Sequence, residues 1–255
     1  MKNCGIIIVG NEILQGYIQD TNSRWIAKKL TDLGYNVKII LVVGDIAEDI
    51  AEALFLTFKL NLDFIFICGG LGPTPDDKTV EAVAKHFNLK LIQDKNILDD
   101  ILRKISFLKE KDIVNINQTK WITKMSYIPE GSIPLKNSLG LAPGILLQFK
   151  GKNIFILPGV PVEMKTIFAE EVEPRIGVGE KRVVKEIILK SEESKFSDIV
   201  EELENKYRKI SIGMYPHYGK MELVIRIIGD ESEVLSAIEK IREESKKLGV
   251  NIFET

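Results

Sequence analysis

The segment that decides the fold is DFIFICGGLGPTPDDKTVEAVAKHF, residues 63–87. It begins with an apolar run typical of a buried strand, predicted over residues 63–68. Residues 78–87 repeat apolar side chains at the spacing of a helix. Three glycines, two prolines and two adjacent aspartates lie between these stretches. The sequence therefore predicts a strand, a glycine-rich loop and a helix, which is the order that α/β proteins use to bind phosphate groups.

The glycine-rich loop, residues 69–77, carries the groups expected of a site for phosphate and a metal ion. Its candidate ligand-binding residues, which are glycines, a threonine and two acids, are Gly69, Gly70, Gly72, Thr74, Asp76 and Asp77. The glycines allow positive φ angles and let a ligand approach the backbone amides closely. The two carboxylates would repel phosphate unless a divalent cation such as Mg²⁺ lay between them. The alternative is a plain connection in which Asp77 caps the following helix.

The bulk composition excludes several classes of protein. The chain has 255 residues, of which 45% are hydrophobic and 28% are charged, and its formal net charge is −2. This balance predicts no nucleic-acid partner and no anionic membrane surface. No apolar run reaches the roughly 18 residues that a bilayer span requires. Cys4 and Cys68 fall in predicted strands and are expected to be reduced core residues of a cytoplasmic protein.

Strands and helices alternate in the first half of the chain. Strands are expected at residues 6–9, 37–43 and 63–68, with intervening helices at 22–33 and around 46–58. Continuous apolar strands separated by helices predict a parallel sheet that is covered on both faces. Ligands bind such sheets at the carboxyl ends of the strands.

Polar residues follow the first two strands as well. Asn11 and Glu12 come after the first strand and Asp45 after the second, so all three are expected at the same sheet edge as the glycine loop. Residues 13–19 show no clear period and are predicted to form a loop. Asn22 and Ser23 are good helix-capping residues as well as candidate ligand donors. Asp45 also has an alternative role as a helix cap.

The middle of the chain contains a second loop of small residues, at 137–144. Residues 127–131 predict a turn, and strands are expected at residues 145–149 and 153–157, joined by a hairpin turn. A helix is expected to open at residues 158–163 and to run to about residue 172, and its first amides could bind an anion. The candidate ligand-binding residues here, all in loops or at the helix start, are Asn137, Gly140, Gly144, Pro158, Gly159 and Glu163.

A change in composition near residues 174–180 predicts a linker between two domains, 1–174 and 180–255. In the second domain, strands are expected at residues 183–189, 210–215 and 221–228, and helices at 196–207 and 231–248. This βαββα order is typical of a small α+β domain with its helices on one face of the sheet.

Taken together, the segments resemble the CinA family and the wider group of molybdopterin-binding (MoCF-biosynthesis) domains. The resemblance is carried, in the family's order, by GNEIL (10–14), DTNS (20–23), VGD (43–45), GGLGPT (69–74), YIPEG (127–131), APG (142–144) and LPG (157–159). The second domain is similar to the small KH-like domain of CinA proteins. The chain ends too early to hold the deamidase domain that bacterial members often add. The second domain has no Gly-x-x-Gly clamp of the kind that RNA-binding KH domains carry between their helices, so RNA binding is not expected.

The resemblance implies a three-layer α/β/α fold with a mostly parallel sheet. It also implies that Asp45 and Asp77 hold a divalent ion, with Asp76 beside them, and catalyse the hydrolysis of a nucleotide diphosphate such as ADP-ribose. Molybdopterin binding or adenylylation is the second hypothesis, and a non-catalytic nucleotide-binding module is the third. The expected partners are a small nucleotide or pterin ligand and a second copy of the chain in a homodimer.

Overall fold

The computed structural model describes residues 1–110, 119–217, 219 and 221–254. The chain divides into two units, Met1–Gly179 and Glu180–Thr255. The strands of the first unit are β1 (Asn3–Val9), β2 (Asn36–Val43), β3 (Phe64–Cys68), β4 (Leu91–Gln93), β5 (Tyr127–Pro129), β6 (Ile133–Leu135), β7 (Gly144–Phe149) and β8 (Lys152–Leu157). Its helices are α1 (Asn11–Leu14), α2 (Asn22–Asp32), α3 (Ala47–Lys59), α4 (Thr79–His86), α5 (Lys95–Glu110), α6 (Thr119–Lys124), α7 (Pro161–Ile167) and α8 (Glu173–Ile176). One π-helical turn, Phe168–Val172, joins α7 to α8.

A six-stranded sheet in the order β2-β1-β3-β8-β7-β6 forms the centre of the first unit. β2, β1, β3 and β8 run parallel to one another, whereas β7 is antiparallel to β8 and β6 is antiparallel to β7. The predicted mostly parallel α/β fold is therefore confirmed.

Apolar layers cover both faces of this sheet. Alternate residues of β3 enter different clusters: Ile67 packs on the face that α3 and α4 cover, and Phe66 packs on the face that α2 and the π-helical turn cover. All five residues of β3 are buried. Because burying one such large apolar side chain stabilises the fold by about 1.5–3 kcal/mol, the continuous apolar run requires cover on both sides.

Several short elements differ from the prediction. The first two residues of the loop predicted at 13–19 belong instead to the single helical turn α1. Residues 127–131, predicted as a turn, begin with strand β5, which pairs with the unpredicted β4. The predicted helix after residue 158 continues through the π-helical turn and α8 to Ile176. Three-residue strands depend on a distant partner, so the local sequence gives little signal for them.

The second unit contains β9 (Val183–Leu189), a 3₁₀ turn (Glu193–Phe196), α9 (Ser197–Lys206), β10 (Ile210–His217), β11 (Glu222–Gly229), α10 (Glu231–Leu248) and β12 (Ile252–Glu254). Its antiparallel sheet has the order β10-β11-β9-β12. The Asp230 carboxylate caps α10, and Gly249 ends the helix in the left-handed conformation. The βαββα order agrees with the prediction, and β12 is an edge strand that was not predicted.

Both cysteines, Cys4 and Cys68, are buried and free, as predicted. Among the helices within the described residues, none has the length and apolar character needed to cross a membrane.

Candidate functional site

A cleft of about 540 Å³ lies where β1, β3 and β8 end. The predicted residues that line it are Glu12, Asn22, Asp45, Gly69, Gly70, Gly72, Asp76, Asp77, Gly140, Pro158, Gly159 and Glu163. The strand ends are level because Cys68 pairs with Ile8 on one side and with Leu157 on the other. Parallel register thus brings together loops that are far apart in the sequence.

The charge of the cleft has one sign. Its charged lining residues are the acids Glu12, Asp45, Asp76, Asp77 and Glu163, and no lysine or arginine is among the described residues that line it. A bare phosphate would be repelled here, because none of these side chains offers it a positive charge.

The glycines of the loop are required by its geometry. Gly69 and Gly70 have φ angles of 114° and 68°. A Cβ atom at Gly69 would lie 2.1 Å from the carbonyl oxygen of Val9, and one at Gly70 would lie 2.3 Å from Oγ1 of Thr79. The Thr79 hydroxyl in turn donates to the Gly69 carbonyl at 2.8 Å. Larger side chains are therefore excluded where the backbone passes the end of β1 and the start of α4.

Asp77 is held by its own loop. Its Oδ2 accepts hydrogen bonds from the backbone N–H of Thr74 at 2.9 Å and from the Thr74 hydroxyl at 2.5 Å. Thr74 is not among the residues that line the cleft, and in this structure its backbone N–H and its hydroxyl both support Asp77. The helix-cap alternative for Asp77 is wrong, since Lys78 is the N-cap residue of α4 and makes no side-chain cap bond.

Asp45 is held by the turn that follows β1. Its Oδ2 accepts a hydrogen bond from the backbone N–H of Asn11 at 2.9 Å, and the Asn11 carbonyl oxygen Oδ1 accepts one from the Asp45 N–H at 3.4 Å. Asn11 is not among the residues that line the cleft, and its two hydrogen bonds orient Asp45. Asp45 is not a helix cap either, because Ile46 occupies that position in α3.

The pKa of Asp45 is raised above the ordinary value of 3.8, first by burial and then by the negative charges of Glu12, Asp76 and Asp77. The hydrogen bond from the Asn11 backbone acts in the opposite direction. Because the neighbouring negative charges make the ionised form of Asp45 less favourable, a cation bound beside Asp45 would be favoured.

Asn22 connects the end of β3 to the turn after β8. Its Nδ2 donates to the Gly159 carbonyl at 2.7 Å and to the Cys68 sulfur at 3.3 Å. The Cys68 thiol donates to the Pro158 carbonyl at 3.1 Å, and burial raises its pKa to about 12, so it is unreactive. Asn22 is 6% exposed, and its buried Oδ1 has no hydrogen-bond partner among the described residues. Ser23 is bonded to Asp20 and does not line the cleft.

The second loop is organised by Asn137, which is 2% exposed. Its Oδ1 accepts hydrogen bonds from the backbone N–H groups of Leu139 and Gly140, at 3.1 and 2.8 Å. Its Nδ2 donates to the Ala142 carbonyl at 2.8 Å and to Glu163 Oε2 at 2.7 Å. All donors and acceptors of the Asn137 amide are therefore used within the protein, and Asn137 is not among the residues that line the cleft.

The two predicted glycines of the second loop differ in placement. A Cβ atom at Gly140 would lie 2.0 Å from Glu163 Oε2, so the glycine makes room for that carboxylate at the cleft. Gly144 begins β7 and is packed against Ile167 and Leu135, and it does not line the cleft.

Two lysines that sequence reasoning missed hold these loops. Lys124 Nζ donates to the carbonyls of Thr74, at 2.8 Å, and of Asp77. Lys104 Nζ donates to the carbonyls of Asn137 and Gly140, at 2.5 and 3.0 Å. Each lysine lies more than 30 residues from the loop that it contacts, so no local signal identifies it.

The acids of the cleft suit a cation that brings some of its own ligands. Within the part of the chain that the structure describes, no three His, Cys, Asp or Glu side chains are grouped so as to hold a metal ion. Asp45, Asp76 and Asp77 therefore do not form a preassembled cage. Mg²⁺ is usually held by one or two carboxylates together with the phosphates of a ligand, which is compatible with this arrangement.

Comparisons with known proteins agree with this architecture. The family model described as "Probable molybdopterin binding domain" (MoCF_biosynth) matches residues 5–178. A protein of Pyrococcus furiosus is 41% identical over 239 residues, which cover 92% of this chain and 93% of that protein. A competence-damage inducible protein of Clostridium beijerinckii is 37% identical over 257 residues, which cover 98% of this chain and 60% of that protein.

Among solved structures, CinA of Thermoplasma acidophilum, described as a protein of unknown function, superposes with a TM-score of 0.58. The two sequences are 37% identical, and the match covers 66% of this chain and 94% of that one. The family model covers most of the first unit, including every residue of the cleft. The chain therefore belongs to the family of molybdopterin-binding (MoCF-biosynthesis) domains, as a CinA-like member.

Proposed function

We propose that the cleft binds a phosphate-bearing pterin of the molybdopterin class together with a divalent cation. The observation that carries this proposal is the lining of the cleft. In it, a loop of glycine amides lies among five acids, and no lysine or arginine is among the described lining residues. Amide groups can bind phosphate oxygens, but the acids would repel them without a cation. Membership of the family supports a pterin as the ligand.

The residues that would hold the cation are Asp45 and Asp77. Both line the cleft, and both are oriented by hydrogen bonds from backbone N–H groups, which lock the carboxylates in place before a ligand arrives. Asp76 is more exposed and adds negative charge at the rim. When bound, the cation would supply charge neutralisation for the phosphate. The glycine loop would supply the amide donors.

Titration calorimetry with neopterin phosphate, with and without Mg²⁺, tests this proposal. We expect binding that requires Mg²⁺ and that weakens at least about tenfold in Asp77→Asn, which corresponds to about 1.4 kcal/mol. Asp99→Asn is the matched control, because it makes the same change at an exposed acid of α5 that does not line the cleft. Equal affinity with and without Mg²⁺, or in wild type and Asp77→Asn, would contradict the proposal.

Hydrolysis of a nucleotide diphosphate such as ADP-ribose is the second candidate function. It is favoured by the placement of Asp45 and Asp77 in one cleft beside the glycine amides, where a cation held by the two carboxylates could activate a water. In the reaction, the water oxygen attacks one phosphorus, the bridging P–O bond breaks, and AMP and ribose 5-phosphate form. The proton of the water passes to solvent.

Turnover distinguishes the two functions. For a hydrolase, AMP is released from ADP-ribose in the presence of Mg²⁺, and Asp45→Asn lowers kcat by about 10²-fold or more because a carboxylate that holds the cation is lost. Tight binding of neopterin phosphate with no release of AMP supports the pterin function alone. Binding of nucleotides without turnover under any divalent metal would instead favour a non-catalytic nucleotide-binding module.

A further inference from the structure

A second pocket, of about 450 Å³, adjoins the cleft. The two cavities share Gly70, Leu71, Gly72, Asp77 and Met125 in their linings. The glycine loop therefore borders both, and a ligand whose phosphate is bound at the loop has this side pocket within reach of its next chemical group.

The side pocket is apolar where the cleft is acidic. Its apolar lining residues are Leu71, Val80, Leu91, Met125, Tyr127 and Ile145. Leu91 and Tyr127 remain 36% and 41% exposed although both are large and apolar. They lie on the same face of the β4–β5 ladder, because Leu91 pairs with Pro129, two residues from Tyr127. Neighbouring exposed apolar side chains beside polar groups are typical of a ligand-binding surface.

Polar side chains in the lining of the side pocket could form hydrogen bonds with the edge of a ring. Glu81 and Lys124 line the side pocket. The Lys124 ammonium group uses two of its three N–H groups on the carbonyls of Thr74 and Asp77. The third N–H can donate to an acceptor on a ligand, and the Glu81 carboxylate can accept from an amino group. Planar heteroaromatic rings combine apolar faces with donors and acceptors at the edge.

We propose that the side pocket binds the planar heteroaromatic ring, pterin or purine, of the ligand whose phosphate is held at the glycine loop. This inference rests on the proposed function of the cleft. The ring would stack on Tyr127 and contact the Met125 thioether, both of which are favourable partners for aromatic systems. The volume of the side pocket falls within the range of about 300–1,000 Å³ that is typical of small-molecule sites.

Two pairs of probes that differ by the ring test the inference: AMP against ribose 5-phosphate, and neopterin phosphate against glycerol phosphate, each titrated with Mg²⁺ present. We expect the ring-bearing member of at least one pair to bind about fivefold to tenfold more tightly. The pair that shows this gain identifies the ring as purine or pterin.

Variants of Tyr127 test whether the tighter binding of the ring-bearing probes arises in the side pocket. In Tyr127→Ala the ring-bearing and ring-free probes should bind equally, whereas Tyr127→Phe should keep the difference. Tyr17→Ala is the control, because Tyr17 is 82% exposed and lines neither cavity. Because Tyr127 is partly exposed, we expect its variants to remain folded. Their melting temperatures check this.

The outcomes separate this inference from the proposed function. If ring-free phosphates bind with Mg²⁺ but the ring adds nothing, or if Tyr127→Ala keeps the full gain, the side pocket is not a ring site while the cleft proposal stands. If no phosphate binds with Mg²⁺, both proposals fail.

Discussion

The glycine loop at residues 69–77 and the second loop at residues 137–144 look alike in sequence but differ in how their polar atoms are used. Each is rich in small residues, and each is held by a lysine that donates to two backbone carbonyls. In the glycine loop, Asp76 and Asp77 reach the cleft. In the second loop, the donors and acceptors of the Asn137 amide are all used in hydrogen bonds within the protein.

This difference teaches that small-residue composition identifies a loop but not its role. A polar side chain can meet a ligand only if the fold leaves some of its donors or acceptors unused. The glycine loop has carboxylate oxygens in excess of its internal bonds, whereas the second loop acts as a scaffold that presents Gly140 and supports Glu163. Five substitutions, each with a control or a matched partner variant or condition, test this contrast.

The largest effect is expected from Gly69→Ala, which we expect to destabilise the protein by about 3 kcal/mol in denaturant unfolding. The added Cβ would lie 2.1 Å from a backbone oxygen of Val9, at a φ angle of 114°. Gly151→Ala is the control for φ alone, since its φ is 79° and nothing lies within 4 Å of the added atom. Equal losses in the two variants would show that the close approach to β1 is unimportant.

Asn137→Ala should cost about 2 kcal/mol, because four hydrogen bonds of a buried amide are lost and their partners are left unsatisfied. Ser138→Ala is the neighbouring control, and it should change the unfolding free energy by less than about 0.5 kcal/mol because Ser138 is exposed. Chemical denaturation measures both. A loss at Asn137 no greater than that at Ser138 would remove its assigned role as the organiser of the second loop.

The two lysines give a matched pair with a smaller effect. Lys124→Met and Lys104→Met should each lower the unfolding free energy by about 1 kcal/mol, since each removes two hydrogen bonds to carbonyls. Only Lys124→Met should also weaken Mg²⁺-dependent binding of pyrophosphate, by about threefold, because it loosens the loop that carries Asp77. Equal binding losses in the two variants would mean that both loops contact the ligand directly.

The smallest effect is expected from Asp45→Asn, which should raise the melting temperature at neutral pH by about 1–3 °C. The folded pKa of Asp45 is raised, so ionised Asp45 destabilises the folded state, and this cost grows as the pH rises. The gain in stability should disappear as the pH falls towards the ordinary pKa of 3.8, where wild type is protonated. A gain that is independent of pH would show that charge is not its cause.

The same contrast explains which sequence predictions were reliable. The strands β1, β2, β3, β7 and β8 and the helices α2 to α4 follow from apolar periodicity, because burial of one or both faces imposes that pattern locally. The short strands β4, β5 and β6 could not be predicted in the same way, because each depends on a partner remote in sequence. Residues near strand ends could be placed at one sheet edge, but the roles of Asn11, Thr74 and Asn137 could not be assigned from their type.

By itself, the sequence determined the alternation of strands and helices, the glycine-rich loop and the acids that follow three strand ends, since each depends on neighbouring residues. Only the tertiary structure decided which polar atoms face the cleft. The bonds from Asn22 to Gly159 and from Lys124 to Thr74 join residues 137 and 50 positions apart. Such contacts form only when the sheet register and the packing of the helices are fixed, so local sequence patterns do not predict them.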